Sequence, residues 1–164
     1  MSATKYVVTG ATGQLGRLIV ESLIERGVPA SEITATGRST DKIADLAAAG
    51  VTVVASDYTD PASLDPVFAG ADVLVLVSSS EIGQRLPQHQ NAIDAAVRAG
   101  VGRIVYTSIP KASETPMILA QEHKATEAAI EASGLPYTFV RNAWYVENYT
   151  PQIPTYLEHG IVGA

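Results

Sequence analysis

Short β-branched runs alternate along the chain with longer stretches of helical periodicity, the pattern that builds βαβ units on a parallel sheet. Tyr6-Val7-Val8 is the first such run. A glycine-rich turn follows, then a helix over about 14–26 with Leu15, Leu18, Ile19 and Leu23 on one face and Gly27 at its end. A second strand is predicted over 33–36, an Ala-rich helix from about Asp41 to Gly50, and a third strand over 51–54. Asp60-Pro61 predicts a further helix start, because Asp caps and Pro suits the first turn. The run Asp72–Val77 is apolar without interruption, as expected of a strand buried on both faces. Beyond it the pattern predicts a helix over 87–99 closed by Gly100, a strand over 103–107, a helix over 117–132 and a strand over 137–141. Right-handed crossovers, with a long passage after the third strand, predict an α/β doubly wound parallel sheet in the order 3-2-1-4-5-6. Its ligand crevice would open at the carboxyl ends of strands one and four.

The segment after Arg141 has a different character. Residues 142–160 are aromatic and polar, Pro151 and Pro154 interrupt a helical pattern, and the chain closes on Ile161-Val162-Gly163-Ala164 as a further strand would begin. The expected division is a nucleotide-binding domain over 1–141 and the start of a substrate-binding segment over 142–164, with the remainder of a C-terminal lobe truncated. At 164 residues and 46% apolar content the chain has material for one core. A net charge of -6 without a basic run argues against nucleic acid as a partner. With no cysteine there is no disulfide framework, no thiolate nucleophile and no thiolate metal site. No metal site and no membrane partner are expected, and the opening MSATKYVVTG, which lacks a basic region followed by an apolar one, predicts a cytoplasmic protein. An exposed sheet edge and an unpacked aromatic tail would favour association, which leaves a homo-oligomer open.

The sharpest motif is Gly10-Ala11-Thr12-Gly13-Gln14-Leu15-Gly16, directly after a strand and opening a helix. Gly10 permits the tight turn, Gly13 lets backbone approach a pyrophosphate, Gly16 allows helix and strand to pack, and the helix N-terminus offers free N–H groups to an anion. This is the dinucleotide turn of a Rossmann fold. At the end of strand two, where NAD-selective sites place a carboxylate, the chain reads Thr36-Gly37-Arg38. A guanidinium there matches a 2′-phosphate, with Lys42 one turn on as a candidate second cation, so NADP(H) is favoured over NAD(H); the alternative is a solvated Arg at a helix start. Asp57 and Tyr58, after strand three, could meet the adenine, although Asp57 serves equally well as a turn cap. Ser78, Ser79 and Ser80, after the DVLVLV strand, fall beside the middle of the cofactor.

The segments VTGATGQLGRL, LVSSSEIGQR, GVGRIVYTSIP and AQEHKATEAAIEASGLPYTFVRNAWYVENY together resemble the NmrA-like, atypical short-chain dehydrogenase/reductase family, particularly its bacterial NADPH-dependent quinone reductases. The resemblance spans nearly the whole chain. It implies a flavin-free enzyme that passes hydride from NADPH to a quinone or similar aromatic acceptor, related to triphenylmethane and isoflavone-type reductases. It also implies cofactor contacts from Gly10 through Gly16, Arg38, Ser78–Ser80 and Gln84. The Tyr-x-x-x-Lys pair of tyrosine-dependent dehydrogenases is absent, since Tyr106 is followed by Pro110, with Lys111 one place late. Counting back from Gly134-Leu135-Pro136-Tyr137-Thr138 places His123 where isoflavone-type relatives carry a lysine, so His123 is a candidate acid or orienting donor, the alternative being a packed or surface histidine. Asn142 and Tyr145, with Trp144 and Asn148, follow strand six, where an aromatic acceptor could stack and be held by amide or phenol donors. The same residues would serve equally to pack a second lobe. His89 and His159 have weaker claims. The alternative function is an NmrA-like NADP-binding redox sensor that acts through a partner without catalysis.

Overall fold

The computed structural model describes residues 3–160. Six parallel strands form one sheet: β1 (Tyr6–Val8), β2 (Ile33–Gly37), β3 (Thr52–Ala55), β4 (Val73–Leu76), β5 (Arg103–Ser108) and β6 (Tyr137–Arg141), in the order β3-β2-β1-β4-β5-β6. Helices α1 (Gln14–Glu25), α2 (Ala44–Ala48), α3 (Pro61–Phe68), α4 (Arg85–Ala99) and α5 (Ile118–Ala132) connect them, and α6 (Ile153–His159) follows the last strand. This is the doubly wound order expected from the alternation of periods.

Strand side chains alternate between two faces, so each strand feeds two cores. Val8, Ile33, Ala35 and Val75 pack beneath Val20, Ile43 and Leu46 on one side. Val7, Leu74, Leu76, Ile104 and Tyr106 pack with Leu64, Phe68, Ile93 and Ile130 on the other. Each such side chain contributes roughly 1.5–3 kcal/mol by leaving water. Register brings Val8 beside both Ala35 and Val75, so β1 sits at the centre with its carboxyl end next to that of β4. The successor loops of these strands depart to opposite faces, and the crevice between them is the switch point.

The boundaries differ from the sequence pattern in physical detail. Asp60 caps α3 by accepting the Ala62 N–H at 3.1 Å, with Pro61 in the first turn, and Gly100 closes α4 in the left-handed region at φ 66°. The expected second helix divides into a 3-10 turn (Thr40–Ile43) and a short α2. Helix α4 starts two residues ahead of Pro87, because a proline in the first turn removes an N–H that has no intrahelical partner. Pro151 and Pro154 likewise stand at the starts of a 3-10 turn (Thr150–Gln152) and of α6, so they initiate helix rather than break it. The strand start expected at Ile161–Ala164 lies outside the described residues. No helix among the described residues is long and apolar enough to cross a membrane.

Candidate functional site

The cleft at the β1/β4 switch point has a volume of about 300 Å³ and is walled by the glycine-rich turn, Arg38, Asp57, Tyr58, Ser78–Glu81 and Gln88. Its floor is organised by Thr9. The Thr9 hydroxyl donates to the Val75 carbonyl at 3.1 Å and accepts the Val77 N–H at 3.0 Å, while the Tyr58 hydroxyl lies 2.6 Å from it. One side chain thereby ties the ends of β1 and β4 to the loop after β3. Gly10 turns the chain at φ 60°, in the left-handed region, and the Gly13 N–H closes the turn onto the Gly10 carbonyl at 3.0 Å. At Gly16 a Cβ would stand 2.3 Å from the Gly10 carbonyl oxygen and 2.8 Å from Ala11 Cα, so only hydrogen fits between helix and turn.

No side chain caps the N-terminus of α1, and its first intrahelical bond reaches from the Arg17 N–H to the Gly13 carbonyl. The N–H groups of Gln14, Leu15 and Gly16 therefore point toward the cleft without helical partners, as an anion requires. Arg38 stands just past β2 and extends its guanidinium to Glu81 Oε1 at 2.9 Å. Asp57 Oδ1 accepts from both the N–H and the hydroxyl of Thr59, each at 2.8 Å, so it braces its own turn while lining the cleft. Those hydrogen bonds hold its carboxyl below the usual range.

The loop after β4 is tied down chiefly at Ser78 and Ser79. The Ser78 N–H donates to Thr107 Oγ1 at 2.8 Å, the Ser79 N–H to His89 Nε2 at 2.9 Å, and Arg85 Nε to the Ser79 carbonyl at 2.7 Å. The Ser79 hydroxyl is hydrogen-bonded to Gln88. Arg85 also forms a buried ion pair with Glu122 at 2.7 Å, and the second oxygen of Glu122 accepts the Gly83 N–H at 2.7 Å. Because His89 Nε2 accepts a proton bond, its Nδ1 carries the hydrogen toward Thr126 Oγ1, 3.0 Å away, whose own proton goes to the Glu122 carbonyl. His89 is thus a buried neutral support for the cleft wall.

The other candidates fall elsewhere. Gln84 precedes α4 and lies outside the cleft lining, which takes Gln88 one turn later. His123 is buried on α5, with Nδ1 2.7 Å from the Tyr106 hydroxyl, beneath the sheet and away from the cleft lining. Asn142 and Tyr145 stand beyond β6, where the Asn142 amide donates to the Tyr145 hydroxyl at 2.8 Å. Glu81, Gln88 and Arg85 were not singled out from the sequence. Their signal is the clustering of charged and amide residues in SEIGQRLPQ directly after an apolar central strand. No group of three or more His, Cys, Asp or Glu among the described residues could hold a metal ion.

Burial lowers the pKa of His89 to about 3 and that of His123 to about 4, with the Arg85 guanidinium acting in the same direction on both. In the unfolded chain both would titrate near 6.5. The unfolded state therefore binds more protons below that pH, so stability is greatest above pH 6.5 and falls as pH drops toward 4. The slope is up to about 1.4 kcal/mol per pH unit for each histidine. Urea unfolding at pH 7.5 and 4.5 is expected to show this loss, and His89→Gln, which keeps an acceptor for the Ser79 N–H, is expected to reduce it by about half.

A parallel sheet whose first βα turn presents three spaced glycines and a bare helix N-terminus, with a cation past the second strand, defines a nicotinamide-dinucleotide-binding fold. A family model described as NAD(P)H-binding matches residues 10–160. The chain belongs to this NAD(P)H-binding family. It is 51% identical over 158 residues to quinone oxidoreductase 2 of Escherichia coli, covering 96% of this chain and 55% of that protein. An NmrA-like family domain-containing oxidoreductase of Aspergillus flavus is 30% identical over 152 residues, covering 88% of this chain and 49% of its own. The crystal structure of an NADPH-dependent quinone oxidoreductase from Escherichia coli, complexed with NADPH, superimposes with a TM-score of 0.88 at 50% identity, covering 94% of this chain and 54% of that one. The chain spans about half the length of the curated relatives it matches.

Proposed function

We propose that the chain carries the nucleotide-binding part of a flavin-free reductase that uses NADPH to reduce a quinone or a similar aromatic acceptor. The observation that carries the reading is Arg38 past β2, on the rim of a cleft whose glycine turn presents unpartnered helix N–H groups. The similarity to a quinone oxidoreductase from Escherichia coli supports the acceptor class. Gln14, Leu15 and Gly16 would hold the pyrophosphate through backbone N–H groups, and the Arg38 fork would take the 2′-phosphate. Asp57 and Tyr58 would border the adenine. Ser78 would present its hydroxyl to the nicotinamide ribose, since its N–H is already used by Thr107.

NADPH, when bound, supplies the hydride. The protein's work is then to position the acceptor and offer hydrogen bonds to its oxygen. A quinone oxygen that gains charge has a conjugate acid near the phenolic pKa of about 10, far below that of the alkoxide a simple ketone would give, so strong acid catalysis is dispensable. This suits a fold without a Tyr-x-x-x-Lys pair. We assign the donor role to the Asn142–Tyr145 pair beyond β6 in preference to His123, whose buried imidazole is occupied by Tyr106. In the cytoplasm, where we place the protein, NADPH is the ordinary reductant for such a step. The domain division at Arg141, with a substrate-binding segment starting at Asn142, belongs to the same reading.

The test is anaerobic mixing of the protein with NADPH and 1,4-benzoquinone, following nicotinamide absorbance. The expected result is protein-dependent oxidation that needs the quinone and no flavin. Tight nucleotide binding without any turnover, in a chain extended to the length of the relatives, would overturn the reductase reading in favour of a redox sensor.

A further inference from the structure

Arg38 and Glu81 approach the cleft from opposite sides. Arg38 follows β2, Glu81 lies in the loop after β4, and β1 with its glycine turn runs between them. Their 2.9 Å ion pair therefore spans the mouth of the cleft above the turn. Glu81 is held in that direction. Its other oxygen accepts the Gln88 amide at 2.7 Å, its N–H donates to Ser79 Oγ at 3.2 Å, and Gln88 is itself hydrogen-bonded to the Ser79 hydroxyl. Arg38 contributes a single N–H to this carboxylate, and half or more of its side chain is open to solvent.

We propose that Glu81 is an internal competitor for Arg38, a carboxylate strap that a 2′-phosphate has to displace and that NADH leaves in place, so that Glu81 lowers the affinity of the cleft for NADPH and with it the margin over NADH. The inference rests on the NADPH reading of Arg38 given above. A 2′-phosphate brings nearly two negative charges and three acceptor oxygens, enough for a two-point contact with the guanidinium, whereas Glu81 holds it at one point. A ribose 2′-hydroxyl has neither the charge nor the geometry to displace the carboxylate. When the phosphate arrives, Glu81 retains Gln88 and Ser79, so the strap parts at Arg38 while the loop keeps its place. Without the carboxylate, the phosphate would meet an unpaired guanidinium and no adjacent negative charge.

The experiment is a double-variant cycle read by nucleotide fluorescence titration, with NADPH and NADH measured in parallel on the wild-type chain, Glu81→Gln, Arg38→Gln and the combined variant. Thermal midpoints are recorded for each so that folding is controlled. Glu81→Gln keeps a side chain that can still accept the Gln88 amide. It is expected to tighten NADPH by about three- to tenfold, the range of an exposed charge pair and its repulsion, and to move NADH by less than about twofold. In the Arg38→Gln background the same change is expected to have less than about a twofold effect on NADPH. An NADPH affinity that stays level or falls in Glu81→Gln, or an NADH affinity that rises in parallel, overturns the strap while leaving Arg38 as the phosphate ligand. If Arg38→Gln leaves the ratio of NADPH to NADH affinity unchanged, the Arg38 reading fails and the strap fails with it.

Discussion

Gly16→Ala is expected to lower stability by about 2–3 kcal/mol and to weaken NADPH binding by about tenfold or more. The added methyl would sit 2.3 Å from the Gly10 carbonyl oxygen and 2.6 Å from its carbon, both backbone atoms that no rotamer change can clear. Helix α1 would have to move outward from the turn. That movement would lift the N–H groups of Gln14, Leu15 and residue 16 from the positions in which they converge on the cleft, so stability and affinity fall together. The contrast is Gly27→Ala, where no atom lies within 4 Å of the added carbon and the cost is the left-handed φ of 88° alone. That variant is expected to lose about 1 kcal/mol and leave affinity unchanged. Urea unfolding and nucleotide titration of the pair distinguish a site-specific clash from a general penalty on glycine replacement.

Arg85→Met is expected to cost about 3–5 kcal/mol. The Arg85 and Glu122 side chains are only 5% and 16% exposed, so removing the cation leaves a carboxylate in a poorly solvated place with one remaining N–H donor, from Gly83. The consequence extends to the cleft, because Arg85 Nε is also what holds the Ser79 carbonyl. Loop 78–84 would loosen, and NADPH affinity would fall with stability. The combined Arg85→Met/Glu122→Gln variant removes the stranded charge and is expected to regain a substantial part of the stability but little of the affinity, since Ser79 stays untethered. A stability loss below about 1 kcal/mol in Arg85→Met would mean that water reaches Glu122 freely and that the pair is ornamental.

The fold was legible because its signals are local. Three glycines after Tyr6-Val7-Val8, the unbroken apolar run through Leu76, and Gly50 and Gly100 after helical stretches each state their element without reference to distant residues. That the glycine turn and Arg38 would line one cleft was legible for the same reason, both being fixed in sequence relative to β1 and β2. The supports of the cleft were not. His89 touches Ser79 ten positions away but depends on Thr126, and Arg85 depends on Glu122, both on a helix separated from α4 by β5. Such pairs are set by how α4 and α5 pack, which no periodicity within either helix encodes. His123 shows the converse difficulty. Its place in a counted alignment of helix and strand suggested a group facing a substrate, while the rotation of α5 turns it inward to Tyr106. Tail prolines misled in the same way, because proline breaks a helix or begins one according to its position in the turn.

In the proposed function, this cleft takes NADP(H) through Arg38 and the turn after β1. Parallel fluorescence titrations of the wild-type chain with NADPH and NADH test it most directly. NADPH is expected to bind at least about tenfold tighter, the worth of a charge-assisted contact to the 2′-phosphate. Equal affinities, or tighter binding of NADH, would contradict it.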